Sequence, residues 1–171
     1  MSLQIGEEHR RYAEALVKFG LNLQKGQSLR VSAELEHAPF VRIAVEEAYR
    51  HGAKYVVVDW NDMPLARARL KYSNSEYLDY FPEFEVKKHE EFIDDGWARL
   101  AIVGHEFPDL MNDVDPSAMR IVSLARSQKL KFYMQAMMAN QMQWCVAAVP
   151  TKPKKNASAK APRPKNSPGA M

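Results

Sequence analysis

Leu29-Arg-Val-Ser-Ala-Glu34 is followed, after Leu-Glu-His-Ala, by Pro39-Phe-Val-Arg-Ile-Ala-Val-Glu-Glu-Ala-Tyr-Arg50, and His51-Gly-Ala-Lys then leads into Tyr55-Val-Val-Val-Asp-Trp60. In the first segment Leu29, Val31 and Ala33 alternate with polar neighbours, the period of a strand with one face on a core. In the last, Tyr55 to Val58 is an unbroken β-branched and aromatic run, the composition of a strand buried on both faces of a parallel sheet. Between them Pro39 stands in the first turn of a helix, where a missing amide costs nothing, and Gly52 stands where a left-handed carboxyl cap belongs. Phe40, Val41, Ala44, Val45 and Ala48 recur at spacings of three and four and form one apolar stripe. Strand, helix and strand with short links make a β-α-β unit with a right-handed crossover.

The same alternation extends in both directions. Glu7 to Phe19 predicts an opening amphipathic helix stopped by Gly20, packed on the same sheet. Asn61-Asp62 caps a helix to about Lys71, Ser73-Asn74-Ser75-Glu76 predicts a second short one, and Glu83 to Asp95 a third that is charged and largely solvated. Ala98 to Val103 predicts a buried strand ending at Gly104, and Val114-Asp-Pro-Ser117 a capped helix running to about Met137. Trp144 to Val149 predicts a fourth strand, stopped by Pro150. The expected fold is a three-layer α/β domain, a mostly parallel sheet of about four strands between helices.

Composition sets the limits. The +3 net charge of the 171-residue chain divides into a mildly acidic body and a tail, Thr151 to Met171, with six basic residues and no acid. That tail has four prolines and almost no apolar side chains, so it cannot offset its ordering entropy and is expected to be disordered. It attracts polyanions weakly, but it lacks the interleaved aromatics of a nucleic-acid groove, so nucleic acid is not an expected specific partner. No hydrophobic run approaches the ~20 residues that span a bilayer, and the first residues do not have the regions of a signal peptide, which points to the cytoplasm and away from a membrane. Cys145 is the single cysteine; no intrachain disulfide is possible, and its apolar strand suits an inert, buried thiol.

Candidate chemistry is sparse. His89-Glu90-Glu91-Phe92-Ile93 begins like the helical zinc motif but has isoleucine where the second histidine belongs, and a charged helix face accounts for it. No glycine-rich phosphate loop follows the first strand. Gly104-His105-Glu106 falls just past the carboxyl end of a strand, where open α/β sheets bind ligands, and Glu34, Glu36 and His37 fall on the same edge. These five residues, Glu34, Glu36, His37, His105 and Glu106, are the weak candidates for a polar cleft or metal site, although loop residues on the wet edge of a sheet explain them more simply. Caps and turns account for Asp59 to Asp62 and for Asp109, Asp113 and Asp115. The methionines Met134, Met137, Met138 and Met142 suit core or interface packing.

A resemblance adds to this. Tyr12-Ala-Glu-Ala-Leu-Val-Lys-Phe-Gly-Leu-Asn-Leu-Gln-Lys-Gly-Gln27, Phe40-Val-Arg, Glu46-Glu-Ala-Tyr-Arg-His-Gly-Ala-Lys54, Val58-Asp-Trp-Asn-Asp62, Val114-Asp-Pro116 and Gln143-Trp-Cys-Val-Ala-Ala-Val-Pro-Thr151 together resemble the amino-terminal domain of the thermophilic-type metallo-aminopeptidases, the aminopeptidase T and S group. The resemblance implies cytoplasmic, dimeric exopeptidases that act on peptides with two divalent metals, zinc or cobalt, held by carboxylates and imidazoles in a second, carboxyl-terminal domain. No residue here matches those ligands, so neither a catalytic nor a metal-binding residue carries over, and the chain itself is expected to hold no cofactor. The boundaries expected are an α/β domain over 1–151 and a basic tail over 152–171, the compositional break reading as a truncated or frame-shifted product without peptidase activity. Two other roles stay open: a module pairing with itself or a full-length homologue through an apolar face, and a free-standing binder of a small molecule or metal.

Overall fold

The computed structural model describes residues 6–104 and 109–150. Four strands, β1 (Leu29–Glu34), β2 (Val56–Asn61), β3 (Ala98–Val103) and β4 (Trp144–Ala148), form a parallel sheet in the order β2-β1-β3-β4. Helices lie on both of its faces, so the layered α/β architecture anticipated from the sequence is the one observed. Residues 151–171, for which a disordered tail was expected, lie outside the described residues.

On the first face, α1 (Glu7–Ala15) and α2 (Ala38–Arg50) cover the sheet. Alternation along β1 directs Leu29, Val31 and Ala33 to this side, where they meet Leu100, Ile102, Ala147 and, from the helices, Ala13, Val17, Phe40, Val41 and Ala44. The final turn of the first helix widens into π geometry over Leu16–Gly20, closed by Leu21 N–H donating to the Leu16 carbonyl at 2.8 Å. This turn sets bare Gly20 against Cys145 of β4: a Cβ there would come within 3.1 Å of the Cys145 sulfur.

The second face is covered by α4 (Glu83–Asp94) and α6 (Lys131–Met138), through a smaller core of Phe92, Trp97, Leu130, Tyr133 and Met142. Three expectations are corrected here. β2 is an edge strand, so Tyr55 is exposed and Val56 to Val58 only half-buried; an apolar run alone does not distinguish a central from an edge strand. The helix begun at Pro116 is two helices, α5 (Pro116–Lys129) and α6, broken at Leu130, whose buried side chain turns into this core and re-aims Tyr133 and Ala136 at the sheet. Finally, α4 is not simply a solvated charged helix, because His89 and Phe92 are buried.

The connection from β2 to β3 runs through α3 (Met63–Tyr72), where the Asp62 carboxylate accepts from Leu65 N–H at 3.1 Å, and a short 3-10 turn over Ser75–Tyr77. None of α3 is buried; it is tied to the segment before α5 by Arg67 and Lys71, both paired with Asp113.

Candidate functional site

The carboxyl edge of the sheet is where an α/β fold presents ligands, because strands and the loops leaving them open a crevice there. At this edge Glu34 ends β1, and a 3-10 turn over Leu35–His37 leads into α2. Glu34, Leu35 and Glu36 face Asn61, Asp62, Met63 and Pro64 across a cleft of about 100 Å³. That is well below the few hundred Å³ of an ordinary small-molecule site. The structure therefore joins Glu34 and Glu36 in one acidic notch.

His37 is not in it. Its imidazole is fully buried, and Nε2–H donates to the Val149 carbonyl at 3.0 Å, tying the start of α2 to the chain leaving β4. Nδ1 is buried without a hydrogen-bond partner among the described residues. Gly104 passes directly beside this contact, with no room for a side chain: a Cβ would lie 2.5 Å from the Val149 oxygen and 2.8 Å from His37 Nε2. His105 and Glu106 lie outside the described residues. Among the described residues no group of three or more histidine, cysteine, aspartate or glutamate side chains is arranged to hold a metal ion.

Among the described residues a more extensive polar assembly lies under α4 and α6. Arg30, the polar neighbour in the alternating first strand, is buried; its Nε donates to Asp59 at 2.7 Å and its Nη1 to the Tyr133 hydroxyl at 3.3 Å. Its guanidinium also lies over the Phe92 ring, 5.0 Å from the centroid. Lys88 donates to the other Asp59 oxygen at 2.6 Å. Burial by itself raises the Asp59 carboxyl, but the Lys88 hydrogen bond and the charge and hydrogen bond of Arg30 outweigh it and hold it below its ordinary value. Asp59 therefore belongs to a half-buried ion pair between β2 and Arg30 of β1, not to the caps and turns to which its sequence context assigned it.

His89 borders the same assembly. Nδ1–H donates to the Glu85 carbonyl at 2.6 Å, the ring stands edge-on to Tyr133 with centroids 4.8 Å apart, and burial lowers its pKa, which favours the neutral imidazole. The charged-face explanation of His89 is thus replaced by a buried one. Cys145 is half-buried, and desolvation raises its thiol pKa, which suppresses the thiolate that nucleophilic chemistry needs. The cluster around Arg30 was not legible in the sequence, since an arginine in an alternating strand reads as a solvent-facing residue.

A family model described as thermophilic metalloprotease (M29) matches residues 6–163. The chain belongs to the thermophilic metalloprotease (M29) family. Aminopeptidase 2 of Geobacillus stearothermophilus is 38% identical over 141 residues, covering 82% of this chain and 34% of that protein. Aminopeptidase AmpS of Bacillus subtilis is 33% identical over 135 residues, covering 79% and 33% respectively. The solved structure of wild-type AmpT from Thermus thermophilus matches with a TM-score of 0.76 at 31% identity, over 82% of this chain and 35% of that one. The M29 chain described here thus spans about a third of the length of the curated relatives it matches. An M29 metalloprotease implies a bound metal, and the described residues do not fit one. The Nε2–H of His37 is committed to Val149, Asp59 is engaged by two cations, and among the described residues Glu34 and Glu36 share their notch with no imidazole.

Proposed function

We propose that residues 1–151 of this chain are the non-catalytic amino-terminal α/β domain of an aminopeptidase that releases amino-terminal residues from peptides in the cytoplasm. Its two divalent metals, zinc or cobalt, are held in the part of the relatives' length that this chain does not span. On this reading the chain alone has no peptidase activity. The observation that carries it is the combination of a span of about a third of the relatives with the lack, among the described residues, of any trio of metal-ligating side chains. Two-metal hydrolysis needs carboxylates and imidazoles converging on a water and a carbonyl, and a buried histidine bonded to a backbone oxygen cannot supply that. Residues 152–171 form a basic tail on this reading, although the family match runs on to residue 163.

The test is hydrolysis of leucine and arginine anilides by the purified chain loaded with zinc or cobalt. No turnover above a blank is expected. Turnover abolished by a chelator would overturn the proposal.

A pairing module is the second reading, favoured by the apolar row on β3 and β4 that no helix among the described residues covers, with Val103, Trp144 and Val146 all exposed. A free-standing metal binder has less support, because His37 is turned away from the acidic notch.

A further inference from the structure

Strand alternation and the register of β3 with β4 place Arg99, Ala101 and Val103 on one face beside Trp144, Val146 and Ala148. This is the face that α4 and α6 cover over β1, yet the cover stops short of β4: Val103, Trp144 and Val146 are 44%, 46% and 50% exposed. The opposite face of the same strand is closed, with Ala147 and Val149 buried in the main core. Parallel strands are normally covered on both faces, so among the described residues β4 is covered on one face only and has one unpaired edge.

Topology says what completes it. The chain crosses from β2 to β3 and from β3 to β4 in one direction along the sheet, and both connections carry helices on the face of α4 and α6. A right-handed crossover from β4 to a parallel strand on its free edge continues in that direction, and it puts its helix on this same face, over Trp144, Val146 and Val103. Such a helix runs antiparallel to β4, so its carboxyl end arrives over the first residues of β3 and β4. Arg99 stands there, paired in register with Trp144; its backbone N–H donates to the Gln143 carbonyl at 2.9 Å, and among the described residues its guanidinium has no carboxylate within salt-bridge distance. Desolvation, with repulsion from Arg30 and Arg126, lowers its pKa against a smaller favourable contribution from Tyr133. The negative end of a helix dipole complements that cation. Residues 151–171 contain no leucine, isoleucine, valine or aromatic residue, so they do not supply the apolar face of such a helix.

We propose that Val103, Trp144, Val146 and Ala148, with Arg99 at their foot, are the docking surface for an amphipathic helix and following strand from a longer M29 aminopeptidase, the segment that continues beyond the third matched here. This rests on the reading of the chain as one domain of such an enzyme, but its test reads binding and not hydrolysis, so the two can fail separately. The probe is a synthetic peptide of roughly 30 to 40 residues, one helix-and-strand unit, continuing the Thermus thermophilus relative past the matched segment. It is titrated into the 171-residue chain carrying Trp60→Phe, which leaves Trp144 as the exposed tryptophan. The expected result is a saturable blue shift of emission together with slowed hydrogen exchange in β4. Val146→Lys weakens binding by about tenfold or more and Arg99→Gln by about threefold. Val103→Lys on the neighbouring strand repeats the loss, and unchanged circular dichroism shows that both lysine variants are folded. No shift at saturating peptide, or undiminished binding by both lysine variants, overturns the proposal. So does concentration-dependent self-association of the chain that Val146→Lys abolishes, since the occupant is then a second copy.

Discussion

Replacing Asp59 with alanine leaves Arg30 without its carboxylate under α4 and Lys88 with Glu85, 3.9 Å away, as its remaining partner. Arg30 loses its 2.7 Å bond and Lys88 its 2.6 Å bond, while the Arg30 side chain is only 9% exposed and that of Asp59 22%. Breaking a fully buried pair by removing one partner costs about 3–5 kcal/mol, because the remaining charge stays desolvated. Partial exposure of Asp59 and solvent access for Lys88 reduce this to about 2–3 kcal/mol, or a fall of roughly 5–10 °C in Tm for a domain of this size. The pH dependence is a second signature. The folded-state pKa of Asp59 is depressed, so its contribution is fully present above the ordinary carboxylate range and is lost as pH falls through the folded value. The deficit of Asp59→Ala is therefore largest near neutrality and narrows below a pH of about 4. Urea unfolding at several pH values measures both. A deficit under about 0.5 kcal/mol at neutral pH, or one that widens on acidification, refutes the reasoning.

Other substitutions report on other parts of the fold. Phe40→Ala removes a fully buried ring that packs against Tyr12, with centroids 5.7 Å apart, and is expected to cost about 3–5 kcal/mol in chemical denaturation. Gly104→Ala forces a methyl group against the Val149 oxygen and the His37 ring; since backbone must move, a loss of about 1–3 kcal/mol is expected, and a wild-type unfolding midpoint would contradict the close approach. Cys145, whose thiol pKa burial raises, should react with an aromatic disulfide reagent on the order of tenfold more slowly in the native chain than in denaturant. Equal rates would place the thiol in solvent.

The sequence was most informative where one period ruled a segment. Alternation in Leu29 to Glu34 and the three-four spacing of Phe40 to Ala48 placed β1 and α2 within a residue or two, because both elements bury one continuous face of a single core. Local chemistry was equally readable at Asp62 and Asp115, whose carboxylates cap helices. It failed where the outcome depends on sheet order. Tyr55 to Val58 has a central strand's composition but an edge strand's position, and nothing in the run encodes its neighbours. The same ignorance hid the Arg30–Asp59 pair, which exists only because β1 lies beside β2 and because α6 lowers Tyr133 onto it. Among the candidate site residues, Glu34 and Glu36 line one cleft at the sheet edge, whereas His37 is drawn inward by the Val149 carbonyl, a contact across 112 positions.

If residues 1–151 are the non-catalytic domain of an aminopeptidase, the purified chain holds no dinuclear metal centre. Elemental analysis of the purified chain, saturated with zinc or cobalt and then desalted, tests it most directly. The expected result is well under one metal per chain. About two retained metals per chain, removable by a chelator, would contradict the claim and place ligands among residues such as Glu36, His105 and Glu106.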